Sequence, residues 1–216
     1  AHSYVYGPAL RLFNDSIMKH FDQEWYTRFY GTPPAEQFRI VIGFVNGPSC
    51  YGPSRQLVGQ SKEVFSIIGY AANRKGQPVL MADLGTVVHE FNHSFIKIEG
   101  DTKNALAKSG KTIKSYSAFC MKQQAYDSWQ TILEESLVRA AEKCYFIEHG
   151  DGKVDKGIRN EMNYGFFWMP ELVQTLRYYE SHRKKYPTFT SFYPEIIRFF
   201  DRYVTNMEKE MKKAMK

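Results

Sequence analysis

The segment Thr86-Val87-Val88-His89-Glu90-Phe91-Asn92-His93-Ser94-Phe95 constrains this chain more than any other stretch. Its periodicity predicts a helix with two opposed faces. At about 100° of rotation per residue, and with His89 set at zero, His93 falls near 40°, Thr86 near 60°, Lys97 near 80° and Glu90 near 100°. Leu84, Val87, Val88, Phe91, Phe95 and Ile98 fall at roughly 160–260° on the same wheel. Such a helix buries its apolar face and presents His89, Glu90 and His93 together to a cleft.

Two histidines at i and i+4 have Cβ atoms roughly 5–6 Å apart, so both imidazoles can reach one metal ion. Zinc accepts histidine nitrogen at about 2.0–2.1 Å, and a catalytic zinc keeps three protein ligands and one open position. Glu90, one residue after the first histidine, is placed to take a proton from a water at that open position. His-Glu-x-x-His on a helix is thus a pattern with a mechanism. Its plain alternative is two exposed histidines on a surface helix with no metal.

The third ligand separates the types of zinc site. The extended pattern H-E-x-x-H-x-x-G-x-x-H is excluded, because Ile96 and Glu99 stand where it needs glycine and histidine. What remains is a carboxylate from a later helix, and Thr131–Ala140 (TILEESLVRA) offers Glu134 and Glu135. The wheel of that helix puts Leu133, Leu137, Ala140, Ala141 and Cys144 on an apolar face, with Glu135 opposite and Glu134 nearer the boundary. By geometry alone either carboxylate serves, and a solvated surface charge is the ordinary alternative.

The remaining chain is read around this helix. Residues 8–30 predict a helical segment with Leu10, Phe13, Ile17, Phe21 and Trp25 at apolar positions, ended by Gly31-Thr32-Pro33-Pro34. Residues 38–45 and 63–71 predict strands, with a Gly/Pro/Ser loop at 46–55 between them. Gly76-Gln77-Pro78 predicts a turn before Val79-Leu80-Met81. A polar loop is expected at 99–117, and further helices at about 121–148, 169–183 and 192–214. This order predicts an α+β fold, with a small sheet in the N-terminal half and a helical C-terminal half. No boundary divides it, so residues 1–216 are expected to form a single domain. The Ser109-Gly110-Lys111-Thr112 run lacks the first glycine of a phosphate loop. Asp151–Asp155 lacks the spacing of a calcium loop.

Composition adds limits rather than an assignment. Aromatics reach 16%, enough large side chains to build a core in a chain of 216 residues. No apolar run approaches the roughly 18–20 residues of a membrane-spanning helix. The net charge of +6 sits largely at 181–187 and 207–216, as solvated faces do, so neither nucleic acid nor a membrane is an expected partner. Cys50, Cys120 and Cys144 fit one disulfide with a free thiol, or three buried thiols. The chain begins AHSYVYG, without an initiator Met, so a trimmed start is expected.

The HExxH helix followed by a Glu-bearing helix resembles the gluzincin zinc metallopeptidases. More closely, His89–Phe95 (HEFNHSF) resembles the HEFSHSF signature of a bacterial, generally secreted family of unknown function. The likeness extends through 46–55, the 76–78 turn, 134–140 and 178–189. It implies a zincin-like fold with a small mixed sheet beside the metal helix. It also implies Zn2+ held by His89, His93 and Glu135, with Glu90 as general base. Gluzincins carry an acidic residue four positions after the third ligand, where this chain has Arg139, which either pairs with Glu135 and orients it or forms an ordinary i,i+4 bridge. The resemblance further implies an edge strand for an extended peptide substrate, with 63–71 as candidate, and an oxyanion stabiliser among Tyr145, His149, Tyr164 and His182. A secreted or periplasmic zinc metallopeptidase is the reading that follows. Its rivals are a catalytically silent zincin-like binding protein and a zinc hydrolase of a non-peptide amide or ester.

Overall fold

In the computed structural model, which describes residues 3–33, 36–45, 47, 49–73 and 75–214, the chain divides into two units. The first comprises Ala1–Arg28 and Thr32–Phe95, the second Phe29–Gly31 and Ile96–Lys216. The α+β class follows from their elements: among the described residues four strands lie in the first unit and five helices in the second.

The first unit opens with α1 (Ser3–Ser16), a single 3-10 turn (Met18–His20) and α2 (Glu24–Tyr30). The segment expected as one helix over 8–30 is therefore broken. Phe21 at the break has an extended backbone, and the Asp22 carboxylate restarts the helix by accepting from the Trp25 amide at 3.1 Å. Four strands follow, β1 (Gln37–Gly43), β2 (Ser54–Arg55), β3 (Glu63–Ala72) and β4 (Pro78–Leu80). β1 runs parallel to β3 from Gln37↔Glu63 to Gly43↔Gly69. β2 and a bridge at Tyr51↔Ile67 pair antiparallel with β3, and β4 pairs antiparallel with its end. The loop expected at 46–55 thus contains a short strand; Asn46 and Pro48 lie outside the described residues. β3, expected as the edge, is internal, because β1 takes one side and the 51–55 segment the other.

The period of two decides which face is covered. Phe38, Ile40 and Ile42 of β1 stand opposite Val64, Ser66 and Ile68 of β3, and Val64, Ser66 and Ile68 are buried. Against β3 packs α3 (Leu84–Asn92). Its Val87, Val88 and Phe91 are wholly buried, each contributing roughly 1.5–3 kcal/mol of apolar transfer. Phe91 stacks on Phe38 at 4.3 Å between centroids, and Tyr26 stacks on Phe95 and donates its hydroxyl to the Val88 carbonyl at 3.2 Å. The helix ends at Asn92, so Lys97 and Ile98, expected on its wheel, belong to the second unit instead.

The second unit contains α4 (Gly100–Gln123), α5 (Trp129–Glu148), α6 (Val154–Asn163), α7 (Met169–Ser181) and α8 (Phe189–Ala214). α4 overturns the polar loop expected at 99–117. Its buried stripe is Leu106, Ser109, Gly110, Ile113, Ser117 and Met121, helical in spacing but half made of small residues that read as polar. At Gly110 a Cβ would collide with the Trp129 indole of α5, so glycine there permits close helix packing. The helix expected over 121–148 is interrupted, since α4 stops at Gln123 and Ser128 caps α5 by accepting from the Thr131 amide at 3.0 Å. α6 was not expected at all.

Candidate metal centre

Asp83 starts α3 by accepting from the Thr86 amide at 3.0 Å, which fixes the register of the two histidines. His89 lies in the last turn and His93 is the C-cap residue, still in right-handed helical conformation. Both rings are half-buried. They meet at 77° with centroids 5.0 Å apart, and their Nε2 atoms are 3.3 Å apart. Two nitrogens bound at 2.0–2.1 Å to one tetrahedral ion would be separated by about 3.3–3.4 Å, so the donor pair fits.

Glu90, also half-buried, faces the 51–55 segment. A Cβ added to Gly52 would fall on its Oε2, so the carboxylate occupies space that only glycine leaves open. Gly52 escapes sequence reasoning, because nothing local distinguishes it from other glycines of that loop.

The two downstream carboxylates part company on α5. Glu134 is engaged by the backbone, its Oε1 accepting from the Ile98 amide at 2.9 Å and from Gln130 Nε2 at 3.2 Å. Glu135 is buried rather than solvated, because α5 is covered on nearly every side. His89, His93 and Glu135 together offer two imidazole nitrogens and a carboxylate oxygen, a donor set that could hold a metal ion.

Arg139 stands one turn after Glu135, its Nε 3.5 Å from Glu135 Oε2. Nη1 donates to Glu161 of α6 at 2.8 Å, Nη2 donates to the Tyr126 hydroxyl at 3.1 Å, and the guanidinium lies 4.9 Å over the Phe166 ring. Lys143 Nζ reaches the other oxygen of Glu161 at 3.0 Å. Burial alone would lower the Arg139 pKa, but Glu161, Tyr126 and Glu135 outweigh it and the group is held as a cation. Tyr126 is pushed above the ordinary phenol value by burial first and by the Glu135 charge second. Arg139 is therefore more than an i,i+4 partner. Tyr126, Lys143 and Glu161 were not foreseen; the Asn163-Tyr164-Gly165 stop signal could have pointed to α6.

The four expected oxyanion candidates are scattered. Tyr145 and His149 lie on α5, ten and fourteen residues beyond Glu135, about 15 and 21 Å along the axis. Tyr145 is wholly buried, and His149 stacks on it at 4.2 Å. Tyr164 is half exposed, its carbonyl accepting from Gln124. His182 ends α7, stacked on Tyr178 at 3.9 Å.

A family model described as a domain of unknown function, DUF4932, matches residues 2–199. The chain belongs to this family. The match takes in both units up to residue 199 of α8, so His89, Glu90, His93 and Glu135 all lie within the DUF4932 region. Searches among curated proteins and solved structures find no match.

Proposed function

We propose that this DUF4932 protein is a zinc-dependent peptidase of gluzincin type, with His89, His93 and Glu135 holding the metal and Glu90 acting as general base. The observation that carries the proposal is the 3.3 Å separation of the two Nε2 atoms, to which Glu135 adds the carboxylate of the donor set. Two neutral imidazoles and one carboxylate are the donor set of catalytic zinc.

Zinc bound there supplies Lewis acidity, lowering the pKa of water toward about 7 and polarising a substrate carbonyl. The chain's own groups do the rest. Glu90 accepts the proton of the attacking water on its carboxylate and returns it to the departing amine. Gly52 keeps the 51–55 backbone close beside that carboxylate. The same segment forms an outer margin of the sheet, and it replaces 63–71 as the place where an extended peptide would add by strand pairing. Export from the cytoplasm belongs to the same proposal, on the strength of the HEFNHSF resemblance.

The test is a peptide-library digest with purified, zinc-loaded protein beside its Glu90→Gln variant. Turnover is expected in the first and a loss of roughly 10²–10⁴-fold in the second, with one zinc retained in both. Zinc without turnover of any peptide would instead favour a silent binding protein. No zinc in protein with intact His89 and His93 would defeat the proposal.

A further inference from the structure

Arg139 is seated by the ends of two helices. α4 terminates in a Schellman turn, in which the Tyr126 amide donates to the Met121 carbonyl at 3.0 Å and the Ala125 amide to Lys122 at 3.1 Å. α6 terminates in the same way: Phe166 donates to Glu161 at 3.0 Å and Gly165 to Met162 at 2.9 Å. The first turn delivers the Tyr126 hydroxyl to Arg139, and the second delivers the Phe166 ring beneath it. Glu161, the first residue of that second turn, supplies the carboxylate on the guanidinium.

The first turn is costly. Its pivotal residue needs a left-handed backbone and is usually glycine, but here it is Ala125, at φ 60°, the one non-glycine with positive φ among the described residues. A left-handed alanine costs roughly 1–2 kcal/mol. Strain of this kind persists where its surroundings enforce it. What the turn achieves is the position of Tyr126, whose hydroxyl accepts from Arg139 at 3.1 Å, the same guanidinium whose Nε lies 3.5 Å from Glu135 Oε2.

We infer that Tyr126 and Arg139 are positioning residues for Glu135: a guanidinium, itself fixed by the Tyr126 phenol, by Glu161 and by two helix C-termini, holds the carboxylate in the orientation that binds the metal. This rests on the metal reading above. It also answers the absent acidic residue at position 139, because orientation is imposed on the carboxylate ligand directly. Outer partners of this kind are worth about 10–100-fold in metal affinity.

The test is zinc affinity, measured by competition with a chromophoric chelator, for the full chain and for Tyr126→Phe, which keeps the ring and removes only the hydroxyl. The melting temperature of the metal-free proteins and the visible spectrum of their cobalt forms are recorded alongside. The inference expects Tyr126→Phe to bind zinc at least tenfold more weakly, with an altered cobalt spectrum and an unchanged metal-free melting temperature. Arg139→Lys, if folded, should do the same. A loss below tenfold, or a loss matched by a fall in metal-free stability, would overturn it. No zinc binding by the unaltered chain would instead sink the metal reading, a separate failure.

Discussion

Glu90 is held by an absence. The carboxylate fills the volume a side chain at position 52 would occupy, so Gly52→Ala must move either the backbone of 51–55 or Glu90. A displacement of about 1 Å at a reacting group costs on the order of 10²-fold in rate. Gly52→Ala is therefore expected to lose about that much in kcat/KM while zinc affinity stays within twofold; steady-state kinetics beside metal titration check both. The difference between Gly52 and His93 marks what a sequence can reveal. His89, Glu90 and His93 are legible because helical spacing is local, and four residues of chain settle which atoms can meet. Gly52, Tyr126 and Glu161 act across folds of the chain, and no periodicity connects them to the residues they touch.

Elements show the same division. β1 and β3 are legible from β-branched runs, and α3 from its two faces, but the order of strands is not. The 51–55 segment takes one side of β3 through backbone pairing, which depends little on side chains. α4 is not legible because Ser109, Gly110 and Ser117 do the work of apolar residues in a close-packed stripe. On α5 the expected helix forms, but being covered nearly all round it leaves no solvent face for Glu135 to occupy. Within the sheet, Glu63 joins three strands by accepting from Arg55 of β2 and Arg39 of β1. These two guanidinium groups, Arg55 first, hold the Glu63 carboxyl below its usual pKa. A carboxyl depressed in the folded state gives stability that is complete above the unfolded value of about 4.3 and lost as pH falls through the folded value. Urea midpoints measured from pH 7 down to 3 should therefore fall less steeply for Glu63→Gln than for the unaltered chain. Parallel curves would show that the triad contributes nothing to folding.

For the whole molecule, composition constrained little. The +6 charge lies largely at 181–187 and 207–216, and among the described residues no helix is long and apolar enough to cross a membrane. The three cysteines are free thiols, Cys144 fully buried with its pKa raised by that burial, so stability is not tied to a disulfide. The proposed zinc would be a second source of linkage, beside the Glu63 proton. Free zinc at a hundred times its dissociation constant would add about 2.7 kcal/mol, or roughly 5–10 °C in melting temperature at this chain length. Calorimetry with and without chelator should show that difference, and no shift on chelation would mean that the fold does not use a metal.

The most direct measurement is anomalous diffraction from crystals of the zinc-loaded protein, collected on either side of the zinc absorption edge. The account predicts one zinc peak per chain, bound by Nε2 of His89, Nε2 of His93 and a carboxylate oxygen of Glu135, with Glu134 still on the Ile98 amide. A peak elsewhere, or no peak in protein whose His89 and His93 are intact, would contradict it.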